Sequence, residues 1–187
     1  MKRILFITLA LCLVAGSASA TDMGKRFGLG FNNGLGREIA DSTGIVSIPG
    51  TPIGGRYWLS PKVGFDIGFG ISVDDDGTDT STSWAISGGL PINVIDVGDR
   101  VNFNFLPWVQ YTSVDAGKDT NTYFDIVAGL EFEVFVTKDL SVSASHGVAF
   151  EMYSPGGAGE STTDINTFGK NITQFGVHYY LPGGASQ

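Results

Sequence analysis

Val63, Phe65, Ile67, Phe69, Ile71 and Val73 occupy every second position of one stretch, with Gly64, Asp66, Gly68, Gly70 and Ser72 between them. Successive side chains of a strand point to opposite faces, so this segment has one wholly apolar face and one made of small or polar groups. The alternation runs for about eleven residues, longer than the usual globular strand and about the length that crosses a bilayer at a tilt. A helix cannot use this period, and the chain repeats it.

Eight strand-like segments can be drawn. The first runs from Lys25 to Asn33, with Phe27, Leu29 and Phe31 on one side and Gly28, Gly30 and Asn32 on the other. The second lies near Thr51 to Leu59, and the third is the stretch above. The fourth, Thr82 to Val94, carries Trp84, Ile86, Leu90, Ile92 and Val94; the fifth, Val101 to Tyr111, sets Phe103, Phe105, Pro107 and Val109 opposite Asn102, Asn104 and Gln110. In the sixth, Tyr123 to Val136, Phe124, Ile126, Leu130 and Phe132 oppose Asp125, Gly129, Glu131 and Glu133. The seventh alternates from Leu140 to Met152, and the eighth ends with Phe175, Val177, Tyr179 and Leu181 against Gly176, His178 and Tyr180. Pro107 is the tension in this pattern, because it removes a ladder donor in mid-strand and predicts a bulge or an interruption.

The connections alternate in length. Ser60-Pro61-Lys62, Ile95 to Arg100 and Thr137-Lys138-Asp139 are tight turns, whereas Gly34 to Gly50, Asp74 to Ser81, Thr112 to Thr120 and Ser154 to Asn166 are longer and rich in Gly, Asp, Ser and Thr. Short and long connections therefore segregate to opposite ends, and the even strand count puts both termini at the short-turn end. The expected fold is all-β, an eight-stranded antiparallel up-and-down transmembrane β-barrel.

The N-terminus reads as an export signal: Lys2 and Arg3, an apolar run from Ile4 to Ala15, then Ala18-Ser19-Ala20. Cleavage after Ala20 makes residues 1–20 a signal peptide and residues 21–187 the barrel domain. Cys12 leaves with the signal, so no disulfide, thiolate metal site or cysteine nucleophile remains; Leu11 stands before it where lipid attachment requires a small residue. No other run is long enough for an apolar transmembrane helix. With Lys2 and Arg3 removed, nine basic residues (11 minus 2) face nineteen acidic ones, a net charge of about -10 that excludes nucleic acid as a partner. Charged residues make up 16 % of the chain, below the roughly 25 % of soluble domains, as expected when the outside meets lipid.

A soluble lipocalin-type barrel gives the same period with its apolar face inward, so orientation rests on the chemistry of each face. The polar face is mostly Gly, Ser and Asn with isolated charges, small enough to fill a narrow cylinder. Tyr57, Trp58, Tyr111, Tyr123, Tyr153 and Tyr179 fall near strand ends, where an aromatic girdle would stand at the rims of a lipid-facing band. A soluble periplasmic ligand-binding barrel stays open as an alternative.

With the signal peptide, the eight alternating strands and the stretch Gly54-Gly55-Arg56-Tyr57-Trp58-Leu59-Ser60-Pro61-Lys62-Val63-Gly64-Phe65, the chain resembles the small outer-membrane β-barrel superfamily that includes OmpX-like and OmpA-transmembrane-like proteins. The resemblance covers essentially all of residues 21–187. It implies a Gram-negative cell outer membrane, insertion by the barrel-assembly machinery, contact with outer-membrane lipids and lipopolysaccharide, and a packed interior. Members commonly end on an aromatic residue; here Tyr179-Tyr180-Leu181 is followed by Pro182 to Gln187, read as a short periplasmic tail.

Inward charges in a narrow barrel must be paired, and Arg56, Asp66, Glu131, Glu133 and His178 are placed to form one polar cluster in the lower lumen. The cluster reads as a plug, with a gate for small ions as the alternative; eight strands leave little room for a wide pore. Asp74, Asp75, Asp76 and Asp79 crowd one loop around Gly77, a weak candidate for Ca²⁺. Counting an EF-hand loop from Gly77 puts Ser72 first and Ser83 twelfth, so that motif fails. The barrel enzymes that deacylate lipid A carry Ser two residues after the catalytic His; Val148 follows His146 and Tyr180 follows His178, and neither matches. His146 falls on the nominal lipid face. No catalytic site and no cofactor is expected, and the reading is a monomer with a structural or surface-interaction role, a narrow channel for small or hydrophobic solutes being the runner-up.

Overall fold

The computed structural model describes residues 24–34, 37–41, 44–48, 53–75, 77, 80–98, 100–115, 119–167 and 173–181. The expected signal peptide, Asp76 and Asp79 of the acidic loop, and the tail from Pro182 to Gln187 lie outside these residues. The strands are β1 (Phe27–Gly34), β2 (Arg37–Asp41), β3 (Gly44–Ile48), β4 (Ile53–Trp58), β5 (Gly64–Asp75), β6 (Thr80–Gly89), β7 (Ile92–Val97), β8 (Val101–Asp115), β9 (Thr120–Phe135), β10 (Leu140–Ser154), β11 (Thr162–Asn166) and β12 (Gln174–Tyr180).

Every pairing is antiparallel, and the sheet closes on itself. One edge of β8 is covered by β9, the other by β6 along its upper part and β7 along its lower part, so β6 and β7 share one position in the wall. In the same way β11 and β12 share the position beside β10. The ring then runs β1, β4, β5, β6/β7, β8, β9, β10, β11/β12, and β12 pairs with β1 to complete eight positions. Closure joins the eight wall positions into a ring, which lets most of the wall backbone satisfy its own hydrogen bonds where water is absent, while β7 and β11, each strand-paired along one side, lie at the two ends of the barrel.

Two connections expected as loops carry strand of their own. The β2–β3 hairpin stands as a separate two-stranded sheet between β1 and β4, and β11 pairs with the upper part of β10. Thr162-Thr163-Asp164-Ile165-Asn166 shows no apolar alternation, and it pairs with the part of β10 that outlasts β12.

Pro107 neither bulges nor interrupts β8; its neighbour breaks instead. The Leu90 N–H donates to the Pro107 carbonyl at 2.9 Å, so the nitrogen of Pro107 faces the same edge, where Leu90 and Pro91 separate β6 from β7. Two prolines thus sit at one level of adjacent strands, and the irregularity is confined to one place in the ladder.

The tight turns share a design. Ser60 Oγ accepts from the N–H groups of Lys62 and Val63 at 3.3 and 3.1 Å, and Thr137 Oγ1 accepts from those of Asp139 and Leu140 at 3.2 and 3.1 Å. Hydroxyl side chains that bond to their own backbone two and three residues on favour a compact reversal. The first and last described residues, Gly24 and Leu181, lie at this same end, since Leu181 N–H donates to the Phe27 carbonyl.

Hydrocarbon faces outward. Phe31, Ile53, Ile71, Val73 and Leu130 are each more than half exposed, the last at 68 %, while their strand neighbours turn into the lumen. A soluble barrel would hide these side chains inside, so that alternative fails. Tyr57, Tyr111 and Tyr179 keep the outward register, Tyr111 packing on Trp84 with ring centroids 5.3 Å apart. The expected girdle is corrected at three positions. Trp58 is 0 % and Tyr123 6 % exposed, both inside the barrel, and Tyr153 stacks on Tyr123 at 4.8 Å from the same inward register of β10. Position along the strand suggested a rim; parity decided the face, because neighbours such as Tyr57 and Trp58 cannot both point to lipid. His146 holds the outward register with its ring Nδ1 2.8 Å from Thr173 Oγ1.

Bulk inside the barrel stands opposite glycine. Gly28 pairs with Tyr180 and Gly30 with His178, and a Cβ on either would lie within 3 Å of the facing ring. A Cβ at inward-facing Gly54 would come to 2.5 Å of the Ile67 carbonyl oxygen, whereas at outward Gly88 the nearest atom is 3.9 Å away. Gly54→Ala should therefore lower stability by about 1–3 kcal/mol through overpacking, and Gly88→Ala should stay within about 0.5 kcal/mol. Urea midpoints by tryptophan fluorescence in lipid vesicles check the pair.

Candidate functional site

The inward residues of β9 give the profile of the lumen. From the short-turn end upward they read Phe135, Glu133, Glu131, Gly129, Val127, Asp125 and Tyr123. Phe135 joins Trp58 and Tyr180 in an aromatic floor. Above it lies a layer of charge, then an apolar layer of Leu106, Trp108, Val127 and Ala149. Gln110, Thr112, Asp125 and Glu151 follow, all buried, and Val114 packs on Tyr123 at the upper mouth. The sequence suggested a lumen of small polar groups; the bulky apolar layer from β8 and β9 is an addition that side-chain parity contains but the count of Gly, Ser and Asn concealed.

The charged layer brings together the residues singled out from the sequence. Arg56 and Asp66 are direct cross-strand partners, and the guanidinium donates from Nε to Asp66 Oδ1 and from Nη2 to Asp66 Oδ2, both at 2.7 Å. It then reaches across the barrel to Glu131, from Nη1 at 2.8 Å and Nη2 at 2.9 Å, with Glu133 Oε2 3.4 Å from Nη1. Two forked contacts from one planar group fix its orientation in a way that a lysine could not reproduce.

Three carboxylates thus meet one guanidinium, and neutral donors supply the remaining contacts. Asn104 Nδ2 donates to Glu131 Oε1 at 2.8 Å. Ser141 Oγ and Tyr180 OH donate to Glu133 Oε1 at 2.6 and 2.8 Å, and Trp58 Nε1 donates to the Tyr180 hydroxyl oxygen at 3.3 Å. His178 sits at the edge, its Nδ1 3.9 Å from Glu133 Oε1 and beyond hydrogen-bond reach. Asn104, Ser141, Tyr180 and Trp58 carry no charge that would mark them in the sequence as members of this cluster. The available signal was the inward parity of each, shared with the charged positions on the same or adjacent strands.

Charge on the inside and hydrocarbon on the outside invert the arrangement of a water-soluble barrel. This is an eight-stranded transmembrane β-barrel. Eight strands around an interior filled by side chains is the architecture of the small OmpA- and OmpX-type barrels. The outward face is the one lipid can solvate, and inside it Arg56, Asp66, Glu131 and Glu133 find hydrogen-bond partners among one another and their neighbours.

Below the network a second contact holds the floor. Arg26 donates from Nη1 to the Lys138 carbonyl at 2.8 Å, pairs with the Asp139 carboxylate through Nη2, and lies 5.6 Å from the Tyr180 ring centre. It ties the start of β1 to the β9–β10 turn.

Among the described residues no group of His, Cys, Asp and Glu has the arrangement of a metal site. Asp74 and Asp75 close β5, paired with Ser81 and Thr80.

No family model matches the sequence, and no curated protein matches it. Among solved structures, Ail, the attachment invasion locus protein of Yersinia pestis, is similar with a TM-score of 0.39 and 11 % identity, over 83 % of this chain and 95 % of that one. The fold assignment rests on the strand pairings and the two faces of the wall.

Removing Arg56 leaves buried carboxylates unpaired, and breaking a buried ion pair from one side costs about 3–5 kcal/mol. Arg56→Met should lower the unfolding free energy from urea titration by that amount, and Arg56→Met with Asp66→Asn and Glu131→Gln should regain most of it. A triple variant no more stable than the single one would contradict the network as described.

Proposed function

We propose that the chain is a bacterial outer-membrane barrel with a structural or surface-interaction role, closed to solutes by its own side chains, whose long connections meet the outside. The observation that carries this reading is the Arg56 guanidinium, hydrogen-bonded across the lumen between Asp66 and Glu131, above a floor of Trp58, Phe135 and Tyr180 and below the Leu106–Trp108 layer. A charge held on both sides inside a narrow cylinder occupies the path a solute would take. The apolar layer above it disfavours a continuous water column, since water entering there would find no polar partners.

Exported barrels of this type fold into the outer membrane, with short turns on the periplasmic side and longer loops outside. The chain follows that division, with its tight turns at one end and the connections carrying β2, β3 and β11 at the other. On this reading the export signal delivers the chain, the barrel-assembly machinery inserts it as a monomer, and its lasting partners are membrane lipids and lipopolysaccharide. Any specific recognition belongs to the parts of the long connections outside the wall strands, which are free to vary without disturbing closure.

Three measurements test the proposal. The purified protein should migrate differently on a gel before and after boiling in detergent, and planar bilayers should show no large stable conductance. Leu130→Arg should destabilise the barrel in vesicles by about 2–4 kcal/mol if the site lies near the bilayer midplane. A loss under about 0.5 kcal/mol, as for an ordinary hydrated surface position, would sink the membrane reading; a porin-like conductance would sink the closed lumen alone.

A further inference from the structure

The two ends of the barrel differ in charge. Residues 35–52, 74–80, 115–120 and 155–173, the long connections, contain ten acidic and three basic residues. At the short-turn end the balance reverses: in the sequence Lys25, Arg26, Lys62, Arg100 and Lys138 stand against Asp96, Asp99 and Asp139. Arg26 turns inward to its contacts with Lys138 and Asp139, and Arg100 is half-buried, which leaves Lys25, Lys62 and Lys138 as the exposed cations of this rim.

These three lysines are mounted side by side. Tyr180 N–H donates to the Asp139 carbonyl at 2.7 Å, Leu181 N–H to the Phe27 carbonyl at 2.8 Å, and Lys25 N–H to the Trp58 carbonyl at 2.7 Å. The β9–β10 turn, the start of β1 and the β4–β5 turn are thereby stitched into one arc, its stations one to three strand spacings apart, about 5 to 15 Å. Lys25 holds a φ of 64°, an uncommon conformation for a side-chain-bearing residue, and the cross-strand bonds on either side of it keep it there. Directly above the arc, on the outer face, stand Phe27, Tyr57 and Tyr179. Tyrosines at this depth mark the level of headgroups, and lysines just beyond them place ammonium groups among the phosphates.

We propose that Lys25, Lys62 and Lys138 form a binding arc for the phosphates of anionic phospholipid headgroups in the leaflet at the short-turn end. The inference rests on the transmembrane reading above. Separately mounted cations spread along a rim match a row of headgroups, whereas a single free phosphate would require donors converging on one point.

Native mass spectrometry of the full barrel, released from detergent micelles containing equal phosphatidylglycerol and phosphatidylethanolamine, tests this. The protein should retain phosphatidylglycerol preferentially. Lys25→Gln with Lys62→Gln and Lys138→Gln should reduce that preference at least about tenfold, given a contribution of about fivefold per lysine near an anionic surface. The double variant Lys62→Gln, Lys138→Gln leaves the constrained backbone at Lys25 untouched and should lose most of the preference, which keeps the test decisive if the triple variant folds poorly. Equal retention of both lipids, an undiminished preference in the double variant, or full displacement by excess inorganic phosphate at constant ionic strength would each overturn the arc. A boiling-dependent gel shift in the same samples separates the two readings: with the shift but without the preference only the arc fails, and without the shift the barrel itself fails.

Discussion

Arg56 leaves β4, binds Asp66 on the adjacent strand, and ends on Glu131 of β9, four wall positions away in either direction around the ring. One side chain therefore spans the lumen and ties opposite walls together. Such a contact is available only because the sheet closes: the backbone consumes its own donors and acceptors in the wall, and the side chains inside must satisfy one another. The cost of burying one guanidinium and three carboxyl groups is reduced by forked geometry and by neutral donors from Asn104, Ser141 and Tyr180, drawn from three further strands. A network recruited from so many strands also specifies the register of the closed ring, since a slip by one residue would send any of its members into lipid.

The same closure divides labour around the wall. β1, β4 and β5 present glycine to the interior at Gly28, Gly30, Gly54, Gly64, Gly68 and Gly70, while β8 and β9 present Leu106, Trp108, Gln110, Glu131 and Glu133. Large groups on one side fill the space that the other leaves empty. Tyr180 and His178 lie over their glycine partners, and Pro91 and Trp58 meet at Gly64, where a Cβ would come to 2.9 and 3.3 Å of them. An eight-stranded barrel is wide enough for side chains and little else, so its interior is packed as a core is packed, with shape as well as polarity matched.

Much of this was legible in the chain. Period-two alternation named the strands, the alternation of short and long connections set the topology and the end at which the termini lie, and the smallness of the polar face pointed the hydrocarbon outward. Arg56, Asp66, Glu131, Glu133 and His178 were recognised as one cluster because inward charges in a narrow space have to meet. The departures have separate physical causes. Nearness to strand ends suggests the rim for Trp58, Tyr123 and Tyr153, whereas alternate parity puts them inside. Pro107 raised an expectation of local disruption in its own strand, and the disruption went to Leu90 and Pro91 next door, because the missing donor faces that edge.

Sequence alone determined which residues share a face, since a strand's side-chain period is fixed by backbone geometry and needs no knowledge of neighbours. It could not decide which residues meet across the lumen, because the stagger of a closed sheet is a property of all the pairings at once. That stagger sets Asn104 beside Glu131, Gly28 between Arg56 and Tyr180, and the start of β1 against the β4–β5 and β9–β10 turns. Periodicity is local and survives in the string of letters; closure is global, and only the folded ring contains it.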